Sequence, residues 1–188
     1  MSTPPNLSKA LRKLSQSYLV DLDPKEHAQH LLKEEGRSFI ILHAATVEGV
    51  IEHQLRQAFD HLGASEIDTL LGADGPLHSF ANKTRIAFAI KLIDFETRQR
   101  IDLIRMARNA AAHSLKPLSF ATDEIVRVTV EISPEDVREL VRKLPEDSLK
   151  ETFGLICTCL LGCIAGTRQM SDISDMIRRR AAADGIVS

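Results

Sequence analysis

The sequence predicts an all-α fold, a single-domain multi-helix bundle, on three observations. Hydrophobic residues make up 44% of the 188 residues, yet aromatics only 4%, with no Trp and one Tyr, Tyr18. Leu, Ile and Ala dominate the long stretches, a balance that suits packed helices better than a sheet. Most directly, Ile40, Ala44, Val47, Ile51, Leu55 and Ala58 recur at three or four residues and form one apolar stripe over about 38–61. A chain of this length buries a sizeable core without staples.

The elements follow in order. A mildly helical stretch of mixed charge runs from Leu7 to about Leu19. Asp23-Pro24-Lys25-Glu26 opens a helix, with a capping Asp, Pro at the first position and Glu three residues on; Gly36 closes it. After the long stripe comes a short helix near 65–71, and Gly72-Ala-Asp-Gly75-Pro76 breaks the chain. Two helices span about 79–93 and 95–112, the second closing before Pro117. Ile125-Val-Arg-Val-Thr-Val130 alternates like a strand, but a lone strand has no partner elsewhere, so a helix is expected from Thr122. Ser133-Pro134 starts another helix, Ser148 with Glu151 forms a capping box, and Asp172 opens the last helix. The expected organisation is an N-terminal helical arm (1–36), a helical core (37–170) and a C-terminal basic helix (171–188).

Composition narrows the function. With 24 basic and 26 acidic residues the net charge is -2, so a general nucleic-acid footprint is lacking and any basic patch must be local. No apolar signal core opens the chain and no run of 18 apolar residues occurs, which predicts a cytoplasmic protein with no membrane role. The three cysteines, Cys157, Cys159 and Cys163, cluster in an apolar run and resemble buried small hydrophobes rather than a disulfide framework. Cys159 and Cys163 share a helix face, but no further ligands at zinc spacing stand near, and His27, His30, His43, His53, His61 and His78 are scattered. No metal or cofactor is expected. Arg178-Arg179-Arg180 is expected to be a solvated face.

The polar candidates lie inside apolar stripes. Glu48 falls within the stripe of Ala44, Ile51 and Leu55, with Glu52 at its edge, and a lone buried carboxylate needs a cation or a proton. Arg85 and Arg108, both set among apolar residues, are the candidate partners. Asn109 and His113 are four apart on the polar side of their helix, with His113 in its last turn. The bland account of this cluster is an ion pair of Glu48 with Arg108 and a histidine favoured by the helix dipole.

The stretch Gly75-Pro76-Leu77, then Phe80, Arg85, Ile86, Ala89 and Leu92-Ile93, ending in Arg108-Asn109-Ala-Ala-Ala-His113 and Leu118-Ser119-Phe120, resembles the mannitol operon repressor family. The match covers roughly 40–120. It departs at Lys91, where the family pattern has Gly, and at Phe88, near an expected Tyr. The resemblance implies a cytoplasmic, bacterial, all-helical transcriptional regulator or regulatory partner without a recognisable helix-turn-helix. Such a protein acts through a protein partner or as a homodimer, with direct DNA contact left open; the helix over 38–61 is too apolar to lie in a groove.

Arg108-Asn109-x-x-x-His113 is also similar to the motif of the HEPN superfamily, whose active members are metal-independent RNases working as dimers. That resemblance implies the alternative function, a toxin-like endoribonuclease acting on RNA. His113 would be general base or acid at the 2′-hydroxyl, Arg108 would stabilise the phosphorane charge, and Asn109 would orient. Whichever cation meets it, Glu48 in an apolar stripe carries a thermodynamic signature: Glu48→Gln is expected to lower unfolding stability by more than about 1 kcal/mol, read from urea denaturation.

Overall fold

The central helix of the computed structural model is α1 (Glu35–Ala58), because its apolar stripe is closed on three sides. Ile40, Ala44, Val47, Ile51 and Leu55 are almost fully buried, where each large aliphatic side chain contributes about 1.5–3 kcal/mol by leaving water. The described residues are 7, 9–11, 35–166 and 170–186, without the side chains of Glu35, Ser171 and Asp172. The expected helix opened by Asp23 therefore lies outside them. Around α1 stand α2 (Ala64–Leu71), α3 (Phe80–Ala89), α4 (Phe95–His113), α5 (Asp123–Ile132), α6 (Arg138–Val141), α7 (Glu146–Ile164) and α8 (Ser171–Ala183). Every regular element among the described residues is helical, as the composition predicted.

α1 packs on α3, α4 and α7; α4 also packs on α3 and α5. Aromatic anchors close the far side, where Phe120 meets Phe39 and Phe153 edge-on at 5.8 and 5.5 Å between centroids. Leu7 and Leu11 belong to the same core, and so do Ile173, Ile177 and Ala181 of α8.

Several local expectations change. Gly36 does not stop a helix; it lies in the first turn of α1, where a Cβ would stand 3.2 Å from the Ser119 Cα, so the close approach of the loop after α4 requires its small size. Residues 125–130 are helix: Ile125, Val128, Thr129 and Ile132 share the buried face, and the Thr129 hydroxyl donates to the Ile125 carbonyl. After Pro134 comes a 3₁₀ turn (Glu135–Val137) before the short α6. Ser148 is not a cap. α7 starts at Glu146, its cap three residues before the expected one, and the buried Ser148 hydroxyl accepts from Arg180 Nε. Ser79 and Asp94 cap α3 and α4, accepting from the backbone N–H of Asn82 and Thr97.

α3 ends in an unusual way. Leu92 N–H donates to the Ala87 carbonyl and Lys91 N–H to the Phe88 carbonyl, the Schellman pattern that wants a left-handed residue at the position after the cap. Lys91 occupies it at φ 63°, the one non-glycine in that region among the described residues. A side chain there costs about 1–2 kcal/mol, offset by glycine's extra chain entropy of about 0.5–1 kcal/mol. Lys91→Gly is accordingly expected to raise stability by about 0.5–1 kcal/mol, and Lys91→Val to lower it, in matched chemical denaturation curves.

Candidate functional site

The carboxylates of α1 settle on a partner that the sequence reading passed over. Lys83, only 6% exposed, lies 3.0 Å from Glu48 and 2.8 Å from Glu52. The Glu48–Arg108 pair expected from the sequence is thus replaced by Glu48–Lys83. The reason is helical phase: Phe80, Lys83, Thr84 and Ala87 are the buried residues of α3, while Arg85 points outward and donates to Asn82 Oδ1 at 3.2 Å. From Glu52 the network runs on through Arg56 to Asp68, at 3.1 and 2.8 Å, tying α1 to α2 as well as to α3. The missed signal was the i, i+3, i+4, i+7 stripe of α3, which includes Lys83 as plainly as it excludes Arg85.

Electrostatics follow from that packing. The hydrogen bond from Lys83 is the chief reason Glu52 sits below the usual carboxylate value, with Arg56 adding to it against the opposing effect of burial. Burial alone would depress the Lys83 ammonium, but its bonds to Glu52 and Glu48 outweigh this and raise it.

With Glu48 occupied, α4 presents a different cluster. Arg108 is half-buried and donates from Nη1 to Asn109 Oδ1 at 3.2 Å. His113 is exposed. Five residues separate Arg108 from His113, about 140° around a helix, whereas Asn109 lies four before His113 on the same face. The Arg108–Asn109 bond therefore draws the guanidinium toward the face that carries His113. Behind them Ala107, Ala110 and Ala111 are fully buried, small enough to bring the end of α4 close against its neighbours.

The turn after His113 is held from a distance. Arg37 of α1 donates from Nη1 to the carbonyls of Ala111 and Ser114, at 2.7 and 2.6 Å, and from Nη2 to that of Lys116 at 3.0 Å. A cation on the terminal carbonyls of a helix satisfies acceptors that have no partner within it. The buried Ser114 N–H adds a bond to the Ala110 carbonyl. Leu118 and Phe120 anchor the segment that follows.

The other singled-out residues are packed or paired. Arg178 binds Asp136 and Asp175, and Arg180 binds Glu151 and Asp184, so the basic run of α8 is largely neutralised. Cys157 and Cys159 are buried, and burial pushes the Cys157 thiol well up. His43 stacks on Phe39 at 4.0 Å with Nδ1 bonded to the Phe39 carbonyl, His53 pairs with Gln57, and His78 with the Gly75 carbonyl. His27 and His30 lie outside the described residues. No three His, Cys, Asp or Glu among the described residues converge as a metal site, and no described helix is long and apolar enough to cross a membrane.

Comparisons with known proteins leave this geometry to speak for itself: no family model, curated protein or solved structure matches the chain.

The Lys83 network makes a stability prediction with a sign at each end of the pH scale. Glu52, lowered in the fold, contributes stability above its ordinary value of 4.5, lost as pH falls through the lower folded value. Lys83, raised, contributes below its ordinary 10.5, lost as pH rises through the higher folded value. The urea midpoint is expected to hold between these limits and fall outside them. Lys83→Met should cost about 2–3 kcal/mol at neutral pH, less than a fully buried pair because both carboxylates reach solvent, and should flatten the acid limb.

Proposed function

We propose that this chain is a metal-independent endoribonuclease of the HEPN type, with Arg108, Asn109 and His113 as its reacting group. One observation carries the reading. The expected architectural partner of Arg108 is taken by Lys83, and the guanidinium bonds instead to Asn109, which shares a helix face with the exposed His113. Local charge supports it, because α4 carries four arginines against two acidic residues in a chain of net charge -2.

The chemistry is transesterification within RNA. His113 removes the proton of a 2′-hydroxyl, whose oxygen attacks the neighbouring phosphorus; the 5′-oxygen leaves as its bond breaks and takes a proton, giving a 2′,3′-cyclic phosphate. Arg108 stabilises the charge that builds on the phosphoryl oxygens, where a positioned cation is worth most. Asn109 fixes the guanidinium. Arg37 keeps the His113 turn in place from behind. No redox partner or metal is consumed in this balance.

A second reading, a transcriptional regulator of the mannitol operon repressor type acting through protein partners, is favoured by Lys91. The resemblance departs from the family there by lacking a glycine, and the backbone at that residue is left-handed, the conformation glycine suits. Gly75 supports it too: a Cβ there would stand 2.4 Å from two carbonyl oxygens, so the Gly-Pro-Leu turn has a steric reason.

The deciding experiment is RNA cleavage by the purified protein in EDTA. Cleavage to cyclic-phosphate ends is expected, falling at least about 100-fold in His113→Ala and similarly in Arg108→Ala. Intact RNA across varied single-stranded and structured substrates would sink the nuclease and leave the regulator, for which transcript profiling of a deletion strain should show one operon altered at initiation.

A further inference from the structure

At the opposite end of α4 from His113 lies an aromatic and cationic patch that the cleaving site does not use. Phe95 is 50% exposed and Ile90 39%, both far more than a packed core requires. Phe88 stands 6.3 Å from Phe95 between ring centroids, tilted by 59°, and the Arg98 guanidinium lies over the Phe88 ring at 4.7 Å. The exposed Lys91 closes the patch on the turn between α3 and α4.

Helix geometry connects this patch to the site. Phe95 and His113 are 18 residues apart in α4, about five turns, so they lie on one face roughly 27 Å from each other. Between them, on or beside that face, come Arg98, Asp102, Arg105 and Asn109. Asp102 holds both arginines, Arg98 at 3.8 Å and Arg105 at 3.3 Å, and a guanidinium keeps further N–H donors for a phosphate while so held.

From this alignment we infer that the substrate is single-stranded RNA laid along α4, with a base stacked on Phe95 at one end and the scissile phosphate at His113 at the other. The inference rests on the nuclease reading. Aromatic faces accept any base, and arginine adds a cation–π contribution, which is how sequence-tolerant single-strand sites are built. A stacked strand advances about 3.4 Å per nucleotide, so about eight nucleotides or fewer cover the distance. Charge decides for RNA over an apolar protein surface, since the face between the two ends is lined by arginines and carries one carboxylate.

The experiment is fluorescence anisotropy of a labelled single strand of about 12 nucleotides with the full chain, in EDTA and in a His113→Ala background. Phe95→Ala is expected to weaken binding about tenfold, Phe95→Trp to restore it, and a duplex of the same sequence to bind less well. Because Phe95 is half-exposed, its variants are expected to keep the parent melting temperature. Unchanged affinity in Phe95→Ala, equal binding of the duplex, or no RNA binding at all would overturn the inference. The two readings fail separately. Cleavage that depends on His113 but ignores Phe95 removes the platform alone, whereas binding that depends on Phe95 without any cleavage removes the nuclease and the scissile end of the path, leaving only a stacking platform for single-stranded RNA.

Discussion

The buried ammonium of Lys83 is the constraint on which the arrangement depends. Glu48, half-buried beside the apolar stripe, has its charge met by the ammonium on the inward face of α3. Lys83 meets Glu48 and Glu52 together and so fixes how α3 lies against α1. Because α4 packs on both of those helices, its rotation follows. Ala107, Ala110 and Ala111 face inward, while Arg98, Arg105 and Arg108 keep part of their surface exposed.

Much of the fold was legible because its signals were local. Ser79 and Asp94 cap the helices they precede, the stripe of α1 is buried at five of the six expected positions, and the valine-rich segment 125–130 is a helix, with no strand among the described residues to pair with it. What misled was also local. Ser148 and Glu151 have the spacing of a capping box, but Pro145 opens the helix earlier and the packing of α8 claims the serine. Gly36 has the look of a helix stop because its real cause, the nearness of Leu118 and Ser119, lies some eighty residues away in the chain.

The candidate site was half legible for the same reason. Asn109 and His113 are four apart on one helix face and Arg108 adjoins Asn109 in the chain, so nearness in sequence was enough to group them. The partner of Glu48 required knowing which face of α3 turns inward, and Lys83, two residues before Arg85, is the cation on it. Arg37 carried no signal at all. Its role comes from three backbone carbonyls, and backbone acceptors leave no trace in side-chain spacing.

That long reach of Arg37 has a consequence for how the protein comes to exist. Its acceptors follow it by 74, 77 and 79 residues, so during synthesis the guanidinium emerges long before the carbonyls it will hold. Closing so wide a loop comes after nearby helices have formed. The turn carrying His113 therefore gains this hold only once the carbonyls of residues 111, 114 and 116 have been made. A chain still on the ribosome, surrounded by the very class of polymer proposed as its substrate, carries the residues of the site before it carries the site.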